Sequence, residues 1–145
     1  MPARTSIPSA ATASRHRGSS ALTRGVRVDA SPVYMRAQST HEGTEYLFGY
    51  RIVISNQSDQ AVQVVRRRWT IIDGDGCRRE VEGEGVIGQR PILEPGESFE
   101  YASFCPLPTR WGTMEGSYLM AGETGEFHAT IARFFLVADD AGGAG

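Results

Sequence analysis

The chain has 145 residues, 40% of them hydrophobic, and a net charge of −2, the size and make-up of one ordinary soluble domain. No run approaches the ~18 consecutive apolar residues that a membrane helix needs, and the mildly acidic balance speaks against a dedicated nucleic-acid binder. All 15 basic residues are arginine, so no lysine is present for Schiff-base chemistry.

Residues 1–25 contain Arg4, Arg15, Arg17 and Arg24 but no acid, and are rich in Ser, Ala and Thr. Pro8 and Ser9 interrupt the only apolar stretch, so the segment lacks the h-region of a signal peptide and reads as a disordered tail. Residues 26–137 read as one domain, and residues 138–145, with Asp139, Asp140 and three glycines, as a second short tail. Cys77 and Cys105 are the only cysteines; without a secretion signal they read as free thiols of a cytoplasmic protein.

Strands are expected at 26–29 and 33–36. Over 46–54 the residues Tyr46, Phe48, Tyr50, Ile52 and Ile54 fall on one face, which is period two. A β-branched run follows over 62–72 and includes Trp69. Asp73-Gly74-Asp75-Gly76 is then a tight-turn signal, because Asp and Gly tolerate the positive φ of a hairpin. Further strands are expected at 77–82, 99–104, 116–120 and 126–135. Short strands parted by Gly and Pro turns indicate an all-β sandwich or barrel.

Gly83, Gly85 and Gly88 match G-x-G-x-x-G. The dinucleotide version needs a following helix, which Pro91 and Pro95 forbid. A glycine loop that offers its amides to an anion, with Arg90 just beyond, stands beside a purely structural loop. Arg66 and Arg68 share one strand face and Arg67 takes the other. Across the turn, Arg67 is expected opposite Glu82 or Glu84, which favours ion pairing over an anion patch with Trp69 as stacking platform. Glu80, Glu82 and Glu84 lie on one face, as a solvated acidic row more readily than as a divalent-cation site. His41, His128 and the cysteines have no ligand spacing, and Ser39, Ser103 and Ser117 lack a nucleophile-elbow context. No catalytic residue, metal site or cofactor is expected.

A series of strings is more specific. Val33-Tyr34 with Gln38-Ser39, Arg67-x-Trp69, residues 73–76 and 80–88, Pro91-x-Leu93-x-Pro95-Gly96, Phe99-x-Tyr101, Cys105-Pro106-Leu107-Pro108-Thr109 and Gly112-Thr113-Met114-x-Gly116-x-Tyr118-x-Met120 occur in this order. Over residues 22–137 the chain resembles the bacterial ApaG family (the DUF525 domain). The resemblance implies an immunoglobulin-like or fibronectin type III-like β-sandwich. It implies a pyrophosphate or nucleotide loop at Gly83, Gly85 and Gly88. It also implies a genetic link to cobalt tolerance and magnesium efflux, and a gene neighbouring a diadenosine tetraphosphate hydrolase. Related domains in eukaryotic F-box and polymerase-interacting proteins imply a protein-binding role. The chain departs from the pattern at Phe104, where the family often has Gly, at Arg110-Trp111 in place of smaller residues, and at Ala132-Arg133 in place of a Pro.

The expected function is a non-catalytic module that binds a protein partner, with Arg110 and Trp111 as contact anchors and open strand edges for a partner strand or a second copy. The alternative is a pyrophosphate or nucleotide sensor built on residues 83–88 with Arg67 and Arg90. Direct cation binding by Glu80, Glu82 and Glu84 and nucleotide polyphosphate hydrolysis rank behind these.

Overall fold

The computed structural model describes residues 17–36 and 45–139. These residues form nine strands: β1 Ser19–Thr23, β2 Val26–Tyr34, β3 Tyr46–Asn56, β4 Val62–Asp73, β5 Arg78–Glu84, β6 Ile92–Leu93, β7 Ser98–Leu107, β8 Trp111–Gly122 and β9 Gly125–Val137. One antiparallel sheet has the order β1-β2-β3-β7; the other has β5-β4-β8-β9, with β6 also paired to β4. Their facing sides make one core, so the protein is an all-β, immunoglobulin-like sandwich. No helix of the described residues is long and apolar enough to cross a membrane.

Period two explains the core. In β3 the side chains of Phe48, Tyr50, Ile52 and Ile54 are all buried, as alternation over this segment requires. In β4 the inward set changes parity. Val62 and Val64 are buried, then a bulge between Val64 and Arg66 shifts the register, and Trp69 and Ile71 are buried instead. A bulge inserts one unpaired residue and so exchanges the two faces beyond it. It is this exchange that turns Arg67 toward the other sheet. Trp69 is part of the core, edge-on to Tyr50 at 5.3 Å, Phe134 at 5.9 Å and Tyr118 at 6.5 Å. The less favoured alternative, Trp69 as a stacking platform, is therefore set aside.

The segments expected at 26–29 and 33–36 form one strand, β2. Pro32 is tolerated inside it because β1 pairs only as far as Ala30, so the proline nitrogen lies past the end of that ladder. β1 itself falls in the stretch read as tail. It is five residues long and half exposed, too short and too polar to show a period. It closes one side of the sandwich. Phe135 N donates to Arg17 O (2.9 Å), Ser19 Oγ to Ala132 O (2.7 Å) and Thr130 N to Thr23 Oγ1 (3.2 Å). At the other terminus Ala138 N donates to Arg110 O (2.8 Å) and Asp139 pairs with Arg17 at 3.0 Å. These contacts extend the described fold beyond residues 26–137, from Arg17 to Asp139. The remaining tail residues, with Gln38, Ser39 and His41, lie outside the described residues.

Candidate functional site

The turn after β4 sets the geometry. Asp73 N donates to Cys77 O (3.0 Å), Gly76 N donates to Asp73 O (2.9 Å), and Gly76 has φ +84°. This is a three-residue hairpin loop whose last residue is left-handed. Asp73 Oδ1 fastens it by accepting from Asp75 N (2.9 Å) and Cys77 N (3.0 Å). The odd loop length places Arg67 opposite Gly83, Arg66 opposite Glu84 and Arg68 opposite Glu82. The expectation that Arg67 faces Glu82 or Glu84 is corrected; its two neighbours take the acids.

On the outer face Arg66 meets Glu84 at 3.2 Å, Arg68 meets Glu80 at 3.3 Å and Glu82 at 3.6 Å, and Arg78 meets Glu80 at 2.9 Å. Hydrogen bonds from Arg78 and then Arg68 hold the Glu80 carboxyl below its ordinary pKa. The three glutamates therefore face guanidinium groups. No cluster of three His, Cys, Asp or Glu that could hold a metal ion occurs among the described residues.

The inner face differs. Arg67 Nη1 donates to Glu84 O (3.0 Å) and Gly85 O (3.1 Å). Its guanidinium occupies the space a side chain at Gly83 would fill; a Cβ there would lie 2.7 Å from Arg67 Cζ. Arg79 reaches across to β7, with Nη2 3.8 Å from Cys105 Sγ. Neither arginine has a carboxylate within 4.0 Å among the described residues. Behind them Tyr101 and Tyr118 share a hydroxyl–hydroxyl hydrogen bond. Burial raises the pKa of Tyr50, Tyr101, Tyr118 and Cys105.

The glycine loop is a tight hairpin. Val86 N donates to Gln89 O (2.8 Å) and Gln89 N to Val86 O (2.9 Å), with Ile87 at φ +41° and Gly88 at φ +78° between them. Gly85 has φ +60°, donates to Val65 O (2.7 Å), and has no room for a Cβ beside the Gln89 carbonyl oxygen. The stem of Arg90 passes Gly85, where a Cβ would lie 3.0 Å from Arg90 Cγ. The structure therefore gathers Gly83, Gly85, Gly88, Arg67 and Arg90 around one end of β5. Several of the loop amides already serve the backbone, leaving those of Ile87 and Gly88 at the tip.

Arg110 and Trp111 sit elsewhere, at the 73–77 turn. Arg110 Nη2 donates to Ala138 O (2.9 Å) and the guanidinium lies 5.5 Å from the Tyr46 ring centroid, so it ties down the C-terminal segment. Trp111 is half exposed and leans on Gly74, whose Cβ would come within 2.8 Å of Nε1.

Sequence reasoning expected open strand edges but not which strands form them. β5 and β7 end their sheets on the side that β1 does not close. Asn56 N donates to Glu97 O (2.9 Å); antiparallel alternation then turns the amides of Ser98, Glu100, Ala102 and Phe104 to the edge on which no described strand pairs. Pro106, which has no amide to offer, shares that parity. Beside the edge, Phe104, Gly49 and Val33 form one cross-strand row, and Phe104 and Val33 are 60% and 56% exposed. On β5 the same alternation leaves the amides of Glu80, Glu82 and Glu84 outward, and charged side chains guard that edge. Strand order, which decides what is an edge, has no local signal; Phe104 was visible only as a departure from a family pattern.

Two antiparallel sheets closed on one side by β1 and open along β5 and β7 define an immunoglobulin-like sandwich module. The chain belongs to the ApaG family: the family model described as the ApaG domain matches residues 36–122. Protein ApaG of Brucella canis is 46% identical over 118 residues, covering 81% of this chain and 91% of that protein. Protein ApaG of a Methylobacterium strain is 47% identical over 117 residues, covering 80% and 90%. A crystal structure from Bordetella pertussis, designated ApaA, superimposes with a TM-score of 0.76 at 43% identity, covering 81% of this chain and 96% of that one.

Proposed function

We propose that this ApaG-family protein is a non-catalytic binding module that takes an extended segment of a protein partner at the β7 edge. The observation that carries this reading is the row of free amides from Ser98 to Phe104 next to exposed Phe104 and Val33. Strand addition draws affinity from such amides and specificity from the side chains beside them. The family-level link to cobalt tolerance and magnesium efflux would then act through the partner. The test is photocrosslinking from a benzophenone side chain at position 104 in cells. The expected result is a discrete adduct that disappears in Ala102→Pro, which removes an edge amide and leaves the β3 ladder intact. An adduct of twice the chain mass would identify a second copy as the partner. No adduct, or one indifferent to Ala102→Pro, overturns the reading.

A second reading, a pyrophosphate or nucleotide sensor at residues 83–88, draws support from Arg67 and Arg90, which have no carboxylate within ion-pair distance among the described residues. It predicts a thermal shift with pyrophosphate that Arg90→Ala removes; a flat response rejects it.

A further inference from the structure

The two open edges lie on the same side of the sandwich, and the space between them is charged. β5 overhangs: its inward residues Arg79 and Val81 are exposed although they face the other sheet, and Val81 is 37% exposed. On the far side β2 packs against β9, so the sheets are offset and no described strand of the first sheet continues beneath β5 beyond β7. A strand added to β7 would fill that place. Its outward side chains would lie beside Ala102 and Phe104. Its inward side chains would meet Arg79, Val81 and the Arg67 guanidinium held over Gly83.

The charges of the β4–β5 hairpin are sorted by face. Arg66, Arg68 and Arg78 face out and pair with Glu80, Glu82 and Glu84. Arg67 and Arg79 face in and receive only carbonyl oxygens and a thiol that burial holds protonated. Two cations without counter-charge among the described residues, Arg67 partly buried and Arg79 exposed on the same face, favour an anionic occupant, since the guanidinium fork pairs with carboxylate bidentately. Arg79 and Gly83 are four residues apart on one face of β5, roughly 13 Å at ~3.3 Å per residue. Val81 lies midway.

Building on the edge reading above, we propose that the groove between β7 and the inner face of β5 receives an acidic extended segment of a partner protein. Its sequence follows the pattern acid, any, apolar, any, acid, with the first, third and fifth side chains inward: the carboxylates pair with Arg79 and Arg67 and the apolar residue covers Val81.

The experiment is selection of a random decapeptide library displayed on phage against the full chain, followed by synthesis of the enriched peptide with a fluorescein label. The expected consensus has Asp or Glu four residues apart with an apolar residue midway. Anisotropy should show at least a tenfold loss of affinity in Arg79→Gln and in Arg67→Gln, recovery in Arg67→Lys, loss in Ala102→Pro, and weakening with salt. Melting temperatures of the variants separate lost contact from lost fold; Arg79, exposed and bonded only to a thiol, is the variant that keeps the test valid if Arg67→Gln unfolds. A peptide that needs the β7 edge but shows no acidic pattern and ignores Arg79→Gln overturns this inference and leaves the edge reading standing. A peptide indifferent to Ala102→Pro overturns both, as does a library with no binder.

Discussion

At the scale of single residues, the glycines of the G-x-G-x-x-G string do different work. Gly85→Ala would drive a Cβ into the Gln89 carbonyl at a left-handed φ, whereas Gly88→Ala meets open space and pays only for its φ of +78°. We expect Gly85→Ala to cost about 3 kcal/mol or more and Gly88→Ala about 1 kcal/mol, measured by urea unfolding. The buried Tyr101–Tyr118 hydroxyl pair gives a second prediction. Tyr101→Phe and Tyr118→Phe should each cost ~1–3 kcal/mol because each strands a buried hydroxyl, and the double variant should cost less than their sum. Burial raises both tyrosine pKa values, so the folded chain holds these protons more tightly than the unfolded one. That stability is intact below the unfolded tyrosine value of ~10 and declines as pH rises through it. With no lysine in the chain, melting temperatures taken between pH 9 and 11 report mainly tyrosine and cysteine, and the double Phe variant should make the decline shallower, with Tyr50 and Cys105 keeping the remainder.

At the scale of elements, the period-two strand β3, the β-branched strand β4 and the turn after it were legible because each is announced by adjacent residues: alternating aromatics, then a β-branched run, then Asp73-Gly74-Asp75-Gly76. What the sequence did not announce is the bulge at Val64 and the loop parity, which together send Arg67 inward and set it against Gly83. Both are register effects, fixed by pairing across strands rather than by any local propensity. The same distinction explains why the residues around Gly83 could be named as a candidate site while Arg79 and the β7 edge could not. The hairpin's fastening is testable. Asp73→Ala removes the acceptor for Asp75 N and Cys77 N and should cost about 1 kcal/mol, with hydrogen exchange accelerating at Val81 and Gly83 before it does at Thr70, which pairs with β8 on the other side of β4.

At the scale of the whole molecule, β1 decides which side of the sandwich is shut. Deleting residues 1–25 would remove its ladder with β2 and its hydrogen bonds from Phe135, Thr130 and toward Ala132. We expect a melting temperature lower by several degrees, whereas a chain starting at Arg17 keeps every one of those bonds and should melt close to the full-length value.

The three-residue loop between Asp73 and Cys77 carries a consequence for how such modules diversify. Because side chains alternate, adding or removing one loop residue would reverse the two sides of β5 in a single step. Glu80, Glu82 and Glu84 would then line the groove, and Arg79 and Val81 would face solvent. The groove would invert its polarity with no strand residue substituted, so the length of this loop acts as a binary selector for the charge of the guest.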